Sequence, residues 1–172
     1  EIKSDLDKLA ISGTSGTLTA CNLEGEPMGE AIPYDQACNE NKILIKSLTS
    51  GEDHLQTPYS SLAKALKLIK EYGTHIILRH QSDWITGWFL KNWTHGEEGN
   101  NFKLGWDVVK ESWPKSYLNT SWYKCLPKII KSGEIIGQVH SDLAKSFNFN
   151  KKLILISGTT DSNASLIAAG LG

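Results

Sequence analysis

No apolar stretch in the sequence approaches the ~20 residues that a membrane-spanning helix needs, which excludes that architecture for these residues. Neither sign of charge dominates. Eighteen Lys and Arg stand against 19 Asp and Glu, a net charge of −1, so nothing marks nucleic acid or an anionic membrane as a general partner. Cysteine is scarce: Cys21, Cys38 and Cys125 are far apart, odd in number and without CxxC pairing. That pattern argues for free thiols in a reducing compartment. His54, His75, His80, His95 and His140 show no HExxH or comparable ligand spacing, and are read as surface or supporting groups. A basic segment leading into an apolar one, the mark of a secretory signal, is missing from the N-terminus. So is an initiator Met, and the chain stops at Gly170-Leu171-Gly172. The expectation is an internal piece of a longer cytoplasmic protein, with its oligomeric state left open.

What is present suits one domain with a real core: 172 residues, 40% hydrophobic and 22% charged. Residues 9–20 read as two short strands around a Gly13-Thr14-Ser15-Gly16 turn, followed by a Gly- and Pro-marked turn at 22–27. A weaker helix after Pro33 would place Ile43, Leu44 and Leu48 on its apolar side. The clearest helix follows Thr57-Pro58, with Thr57 as the expected cap. Leu62, Ala65, Leu66, Ile69 and Tyr72 form its apolar stripe, Lys64, Lys67 and Lys70 lie off that stripe, and Gly73 ends it.

Residues 75–78 suit a short strand or the approach to a helix capped by Ser82, whose apolar side would be Trp84, Ile85, Trp88 and Phe89. Residues 93–122 read as loops with one or two short helices, and Ser141 as the cap of another. Leu153-Ile154-Leu155-Ile156 is a continuous apolar run, as in a strand covered on both faces, and leads through Ser157-Gly158-Thr159-Thr160 into Asp161 and an Ala-rich helix. Alternating strands and helices indicate an α/β fold.

Two features could carry chemistry. Asp161 sits where a buried strand hands over to a helix, the end of an open α/β sheet at which ligands gather. Helix N-termini there present unpaired N–H groups and a positive dipole end. Asp is also a favoured N-cap, and position alone does not separate the two roles. Around Ser15, paired glycines let a ligand approach the main chain, and the hydroxyl can donate and accept, as a polyol requires. The spacing does not match G-x-x-x-x-G-K-[ST], so a Walker-type phosphate loop is rejected, and spacing alone favours a plain hairpin turn. Trp84, Trp88, Trp93, Trp106, Trp113 and Trp122 crowd one third of the chain; they suit core packing first and a sugar-stacking surface second.

Several segments together resemble the FGGY carbohydrate kinases, and more narrowly their D-ribulose kinase-like branch of cyanobacteria and plants, with xylulose kinases close by. Residues 9–18 with Gly25-Glu26-Pro27-Met28 look like the family's strand, substrate loop and "GEPL" turn. Pro33-Tyr34-Asp35 stands at its Trp/Tyr-x-Asp element, and His80-Gln81-Ser82-Asp83-Trp84 is similar to the branch's "HQADW" helix. Leu126-Pro127, Ser132-Gly133 and Ile136-Gly137 follow its "LP…G..IG" passage, and Gly158-Thr159-Thr160-Asp161-Ser162 its "GTTDS" motif. The likeness runs in family order from about residue 9 to 172.

This resemblance implies an actin-like, ribonuclease H-like fold, here the later part of an N-terminal domain. It implies ATP- and Mg²⁺-dependent phosphorylation of a ketopentose, D-ribulose before D-xylulose, at its terminal hydroxyl. Asp161 would be the base, and Thr14, Ser15, Gly16 and Asp161 would hold the sugar. Cys38 stands where many members have Arg. The family's Asp-x-Gly-Thr phosphate motif and its C-terminal nucleotide domain are absent from these residues, so ATP and Mg²⁺ are expected to bind mainly elsewhere in a longer chain, and this piece alone to be inactive. The competing readings are a non-catalytic sugar-binding or regulatory module of the same fold, and an unrelated α/β interaction domain in which Asp161 only caps.

Overall fold

The computed structural model of the chain describes residues 5–49 and 53–170. Residues 1–4 and 171–172, which carry much of the expectation of a cut chain, lie outside the described residues. Seven strands and seven α-helices are present among the described residues. β1 (Lys8–Ala10) and β2 (Leu18–Cys21) flank the Ser15 turn; α1 (Lys42–Leu48), α2 (Ser61–Tyr72), β3 (Ile77–His80) and α3 (Gln81–Leu90) follow. Then come β4 (His95–Glu97), α4 (Glu98–Phe102), α5 (Lys115–Leu118), β5 (Lys128–Ile130), β6 (Ile135–Gln138), α6 (Ser141–Ser146), β7 (Ile154–Ile156) and α7 (Asp161–Ala168).

β1 and β2 do not form the hairpin that their spacing favours. β1 pairs in parallel with β7, Leu9 opposite Leu155, and β6 adds antiparallel to the other side of β7. β2 pairs antiparallel with β3 in a second sheet, and β4 with β5 in parallel in a third. The Ser15 turn is therefore a crossing between sheets. The apolar run of β7 explains its central place: Leu153 and Leu155 are fully buried, packed with Val139, Leu143 and Ala144, and the ladder runs on both sides. The larger core gathers β2, β3 and α2 around Leu18, Leu62, Leu66 and Leu78, with Trp113, Tyr117 and Trp122 closing it. Cys21, Cys38 and Cys125 are buried free thiols.

Several local expectations shift. In α1 the buried side chain is Ile45, while Ile43 is exposed, because the helix touches the core along a narrow line. α2 begins one turn later than its Thr-Pro signal: Ser60 is the cap, its hydroxyl accepting from Ala63 N at 3.2 Å. Gly73 ends it, in positive φ. Leu62, Ala65 and Leu66 of its stripe are buried and Ile69 and Tyr72 only partly so, while Lys64, expected off the stripe, is buried too. α3 starts after His80 rather than at Ser82, and α6 after His140 rather than at Ser141.

The buried positions of α3 are Ser82, Asp83, Thr86 and Gly87 rather than its aromatic side. The reason is a polar partner. Asp83 accepts from Glu97 N and Asn101 Nδ2, both at 2.9 Å, and Asn100 Nδ2 donates to Ser82 Oγ at 3.1 Å. The Glu97 carboxylate caps α4 through Gly99 N and Asn100 N, and accepts from Ser132 Oγ at 2.8 Å. This buried network locks α3 to β4 and α4.

Candidate functional site

The parallel register of β1 and β7 decides what meets at their carboxyl ends. Beyond Ala10 and Ile156 the two chains stay side by side, and Gly13 bridges Thr160 in parallel. Asp161 N donates to Gly13 O at 3.1 Å. The Ser15 turn and the Asp161 turn, nearly the whole chain apart in sequence, thus leave the same sheet end together, where open α/β sheets place ligands. Gly158 makes the approach feasible: a Cβ built there would lie 1.8 Å from Ile11 O.

Asp161 is not the helix cap. Thr160 is, its hydroxyl accepting from Asn163 N at 3.3 Å, and Asp161 is the first residue of α7. The Asp161 carboxylate is exposed; Oδ1 accepts from Ser162 N at 2.8 Å. Gly13 O, Asp161 Oδ1 and Thr160 Oγ1 together take the first three N–H groups of α7, so the unpaired donors expected at this helix end are occupied. A carboxylate, rather than an anion hole, is what this end offers.

Ser15 and Gly16 line a cleft of about 480 Å³ together with Tyr34, Asp35, Tyr59 and Lys103, among others. The size is ordinary for a small-molecule site. Gly16 has φ of 90°, a conformation that glycine takes without strain. A Cβ there would stand 3.6 Å from Tyr34 Cβ and 3.9 Å from Lys103 Nζ, so both side chains lie close over the turn. Thr14 is half-buried beside them. Asp161 does not itself line this cleft; it is tied to the turn through Gly13. Asp35 was legible through the resemblance, whereas Lys103, at the end of α4, carried no signal in the sequence.

The tryptophans are structural at this end. None lines the cleft, and Trp84 Nε1 donates to Gly25 O at 2.8 Å while Trp93 Nε1 donates to Trp84 O at 3.1 Å, fastening the 22–27 turn to α3. His80 is fully buried and meets Ser61 Oγ at 2.9 Å, a supporting role rather than a surface one. Among the described residues no group of three or more His, Cys, Asp and Glu could hold a metal ion, and no helix is long and apolar enough to cross a membrane.

No protein-family model matches the chain. Solved structures do. A carbohydrate kinase from Novosphingobium aromaticivorans superposes with a TM-score of 0.77 at 15% identity, over 95% of this chain and 38% of that one. A xylulose kinase from Lactobacillus acidophilus gives 0.74 at 14% identity, over 95% and 36%. A glycerol kinase from Plasmodium falciparum gives 0.72 at 16% identity, over 92% and 35%. The chain therefore has the mixed α/β fold of the actin-like, ribonuclease H-like sugar kinases, over little more than a third of the length of these neighbours.

Proposed function

We propose that the chain is the later part of the N-terminal domain of an FGGY-type sugar kinase. Its proposed reaction is ATP-dependent phosphorylation of a ketopentose, D-ribulose in first place and D-xylulose in second, at the terminal hydroxyl. One observation carries the reading: the β1–β7 pairing, extended by Gly13 and Thr160, sets a glycine-flanked hydroxyl turn and a carboxylate at one sheet end. The kinase fold of the neighbours supports it, as do the motifs at residues 80–84 and 158–162 for the ribulose branch.

In this account Thr14, Ser15 and Gly16 hold the sugar through hydroxyl and main-chain groups. Asp35 and Lys103 offer a carboxylate and an ammonium to its other hydroxyls. Asp161 would orient the reacting hydroxyl and accept its proton as that oxygen bonds to the γ-phosphorus of ATP and the bond from this phosphorus to the departing ADP breaks. Phosphoryl transfer has a loose transition state, so positioning outweighs basicity and an ordinary carboxylate suffices. ATP supplies the phosphoryl group and Mg²⁺ its charge neutralisation. No step here is assigned to a residue of this chain that holds either group.

Ser15→Ala in the intact protein tests the sugar contact. Loss of one hydrogen bond should weaken sugar binding by about 0.5–1.5 kcal/mol, read as a rise in sugar KM with ATP KM unchanged. Unchanged sugar KM and kcat would leave Ser15 a plain turn residue.

A further inference from the structure

Lys64 departs from the pattern of its helix. Periodicity puts it with Lys67 and Lys70 off the apolar stripe of α2, yet it is 0% exposed. A buried ammonium is costly unless its N–H groups are met. Nζ donates to the carbonyl oxygen of Tyr59 at 2.6 Å and to that of Tyr34 at 3.2 Å. No carboxylate lies within ion-pair distance among the described residues, so the charge is held by main-chain dipoles. Burial pulls its pKa below the ordinary lysine value; Cys38 and Asp35 oppose that shift, and Lys103 adds to it.

The two carbonyls belong to segments far apart in sequence, and Tyr34 and Tyr59 both line the Ser15 cleft. A backbone bond from Cys38 N to Pro58 O, 2.8 Å, joins the same two segments. Lys64 adds the tie at Tyr34 itself, the residue next to Asp35 and against Gly16. An apolar side chain here would leave both carbonyl oxygens without this donor. What only a long donor-bearing side chain achieves is reaching from the helix to both loops at once.

We propose that Lys64 is a positioning residue: its buried ammonium ties the 33–38 and 57–60 segments into one wall of the cleft and so places Tyr34 and Asp35 beside the Ser15 turn. The consequence for sugar binding rests on the reading of this cleft as the sugar site; the tie itself does not.

Lys64→Met in the intact protein tests both parts, since the stem is kept and the donors are lost. Hydrogen exchange at the amides of Gln36, Cys38 and Ser60, which bond to Pro33, Pro58 and Thr57, should quicken about tenfold or more, while Ile154, bonded to Asp7, keeps its protection. Ketopentose KM should rise about tenfold with ATP KM within about twofold, a split that a lysine acting only in stability would not produce. If Lys64→Met does not fold, Lys64→Gln, which keeps a donor but not its reach, is read the same way. Unchanged exchange in the two segments overturns the tie. Faster exchange with unchanged ketopentose KM overturns the positioning role. An intact parent protein that phosphorylates no ketopentose sinks the sugar-kinase reading instead, and the exchange data still decide the tie.

Discussion

Asp161→Asn in the intact protein is expected to lose at least about a hundredfold in kcat while still binding sugar and melting within a few degrees of the parent. The geometry separates chemistry from stability here. Because Thr160 holds the cap, the Asp161 side chain contributes to α7 an acceptor for Ser162 N and Oγ and a negative charge in the first turn. Asn keeps the acceptor, and the lost charge–dipole attraction is worth about 0.3–1 kcal/mol. A base that takes the hydroxyl proton is worth about 10²–10⁴-fold in rate, far beyond any effect of that size on folding. Thr160→Ala is the matching control: it should cost about 0.5–2 kcal/mol of stability and leave the kcat of the folded fraction nearly intact. If Asp161→Asn keeps more than about a tenth of parental kcat at saturating substrates, the base assignment is wrong.

Gly158→Ala is expected to be the most destabilising single methyl addition at this end of the sheet. The added Cβ would overlap Ile11 O at 1.8 Å and Ile11 C at 2.6 Å, and both are backbone atoms beside the parallel pairing of β1 and β7. Relief requires one chain to move away, which breaks the approach that sets Asp161 against Gly13. Overpacking costs about 1–3 kcal/mol and occasionally more, and an overlap with rigid backbone atoms belongs at the upper end. In β6 of the same sheet, Gly137→Ala would meet only Leu90 Cδ2, at 3.2 Å, a side-chain atom that can yield. Urea denaturation should therefore show a large loss for Gly158→Ala and a small one for Gly137→Ala. Equal, small losses would mean that the two strands do not pack this closely.

The parts legible in the sequence were those set by local pattern. A continuous apolar run foretold β7, and a 3.6-residue stripe foretold α2 with Gly73 at its end. Long-range pairing left no comparable trace. The Ser15 turn looks like a hairpin because hairpin spacing is local, whereas β1 takes its partner from the far end of the chain. Periodicity likewise names a face of α2 but not what covers the other one, so the Tyr34 and Tyr59 carbonyls that draw Lys64 inward were invisible. On α3 the aromatic side suggested the core, while buried Asp83 answers to Glu97 and Asn101, residues that only the fold brings near. Cap positions slipped for a related reason. Any hydroxyl near a helix start is a candidate, and the main chain decides whether Ser60 or Thr57 has the extended backbone a cap needs. At the site, Ser15 and Asp161 could each be named from their own motifs, but their common sheet end rests on the Gly13–Thr160 bridge.

ADP formation by the purified intact protein, with Mg-ATP and each ketopentose in turn, tests the central claim most directly. ADP release should depend on D-ribulose, less efficiently on D-xylulose, be stoichiometric with sugar phosphate, and collapse in Asp161→Asn. ADP release that is indifferent to ketopentose, or none at all from a folded parent that binds Mg-ATP, would contradict the claim.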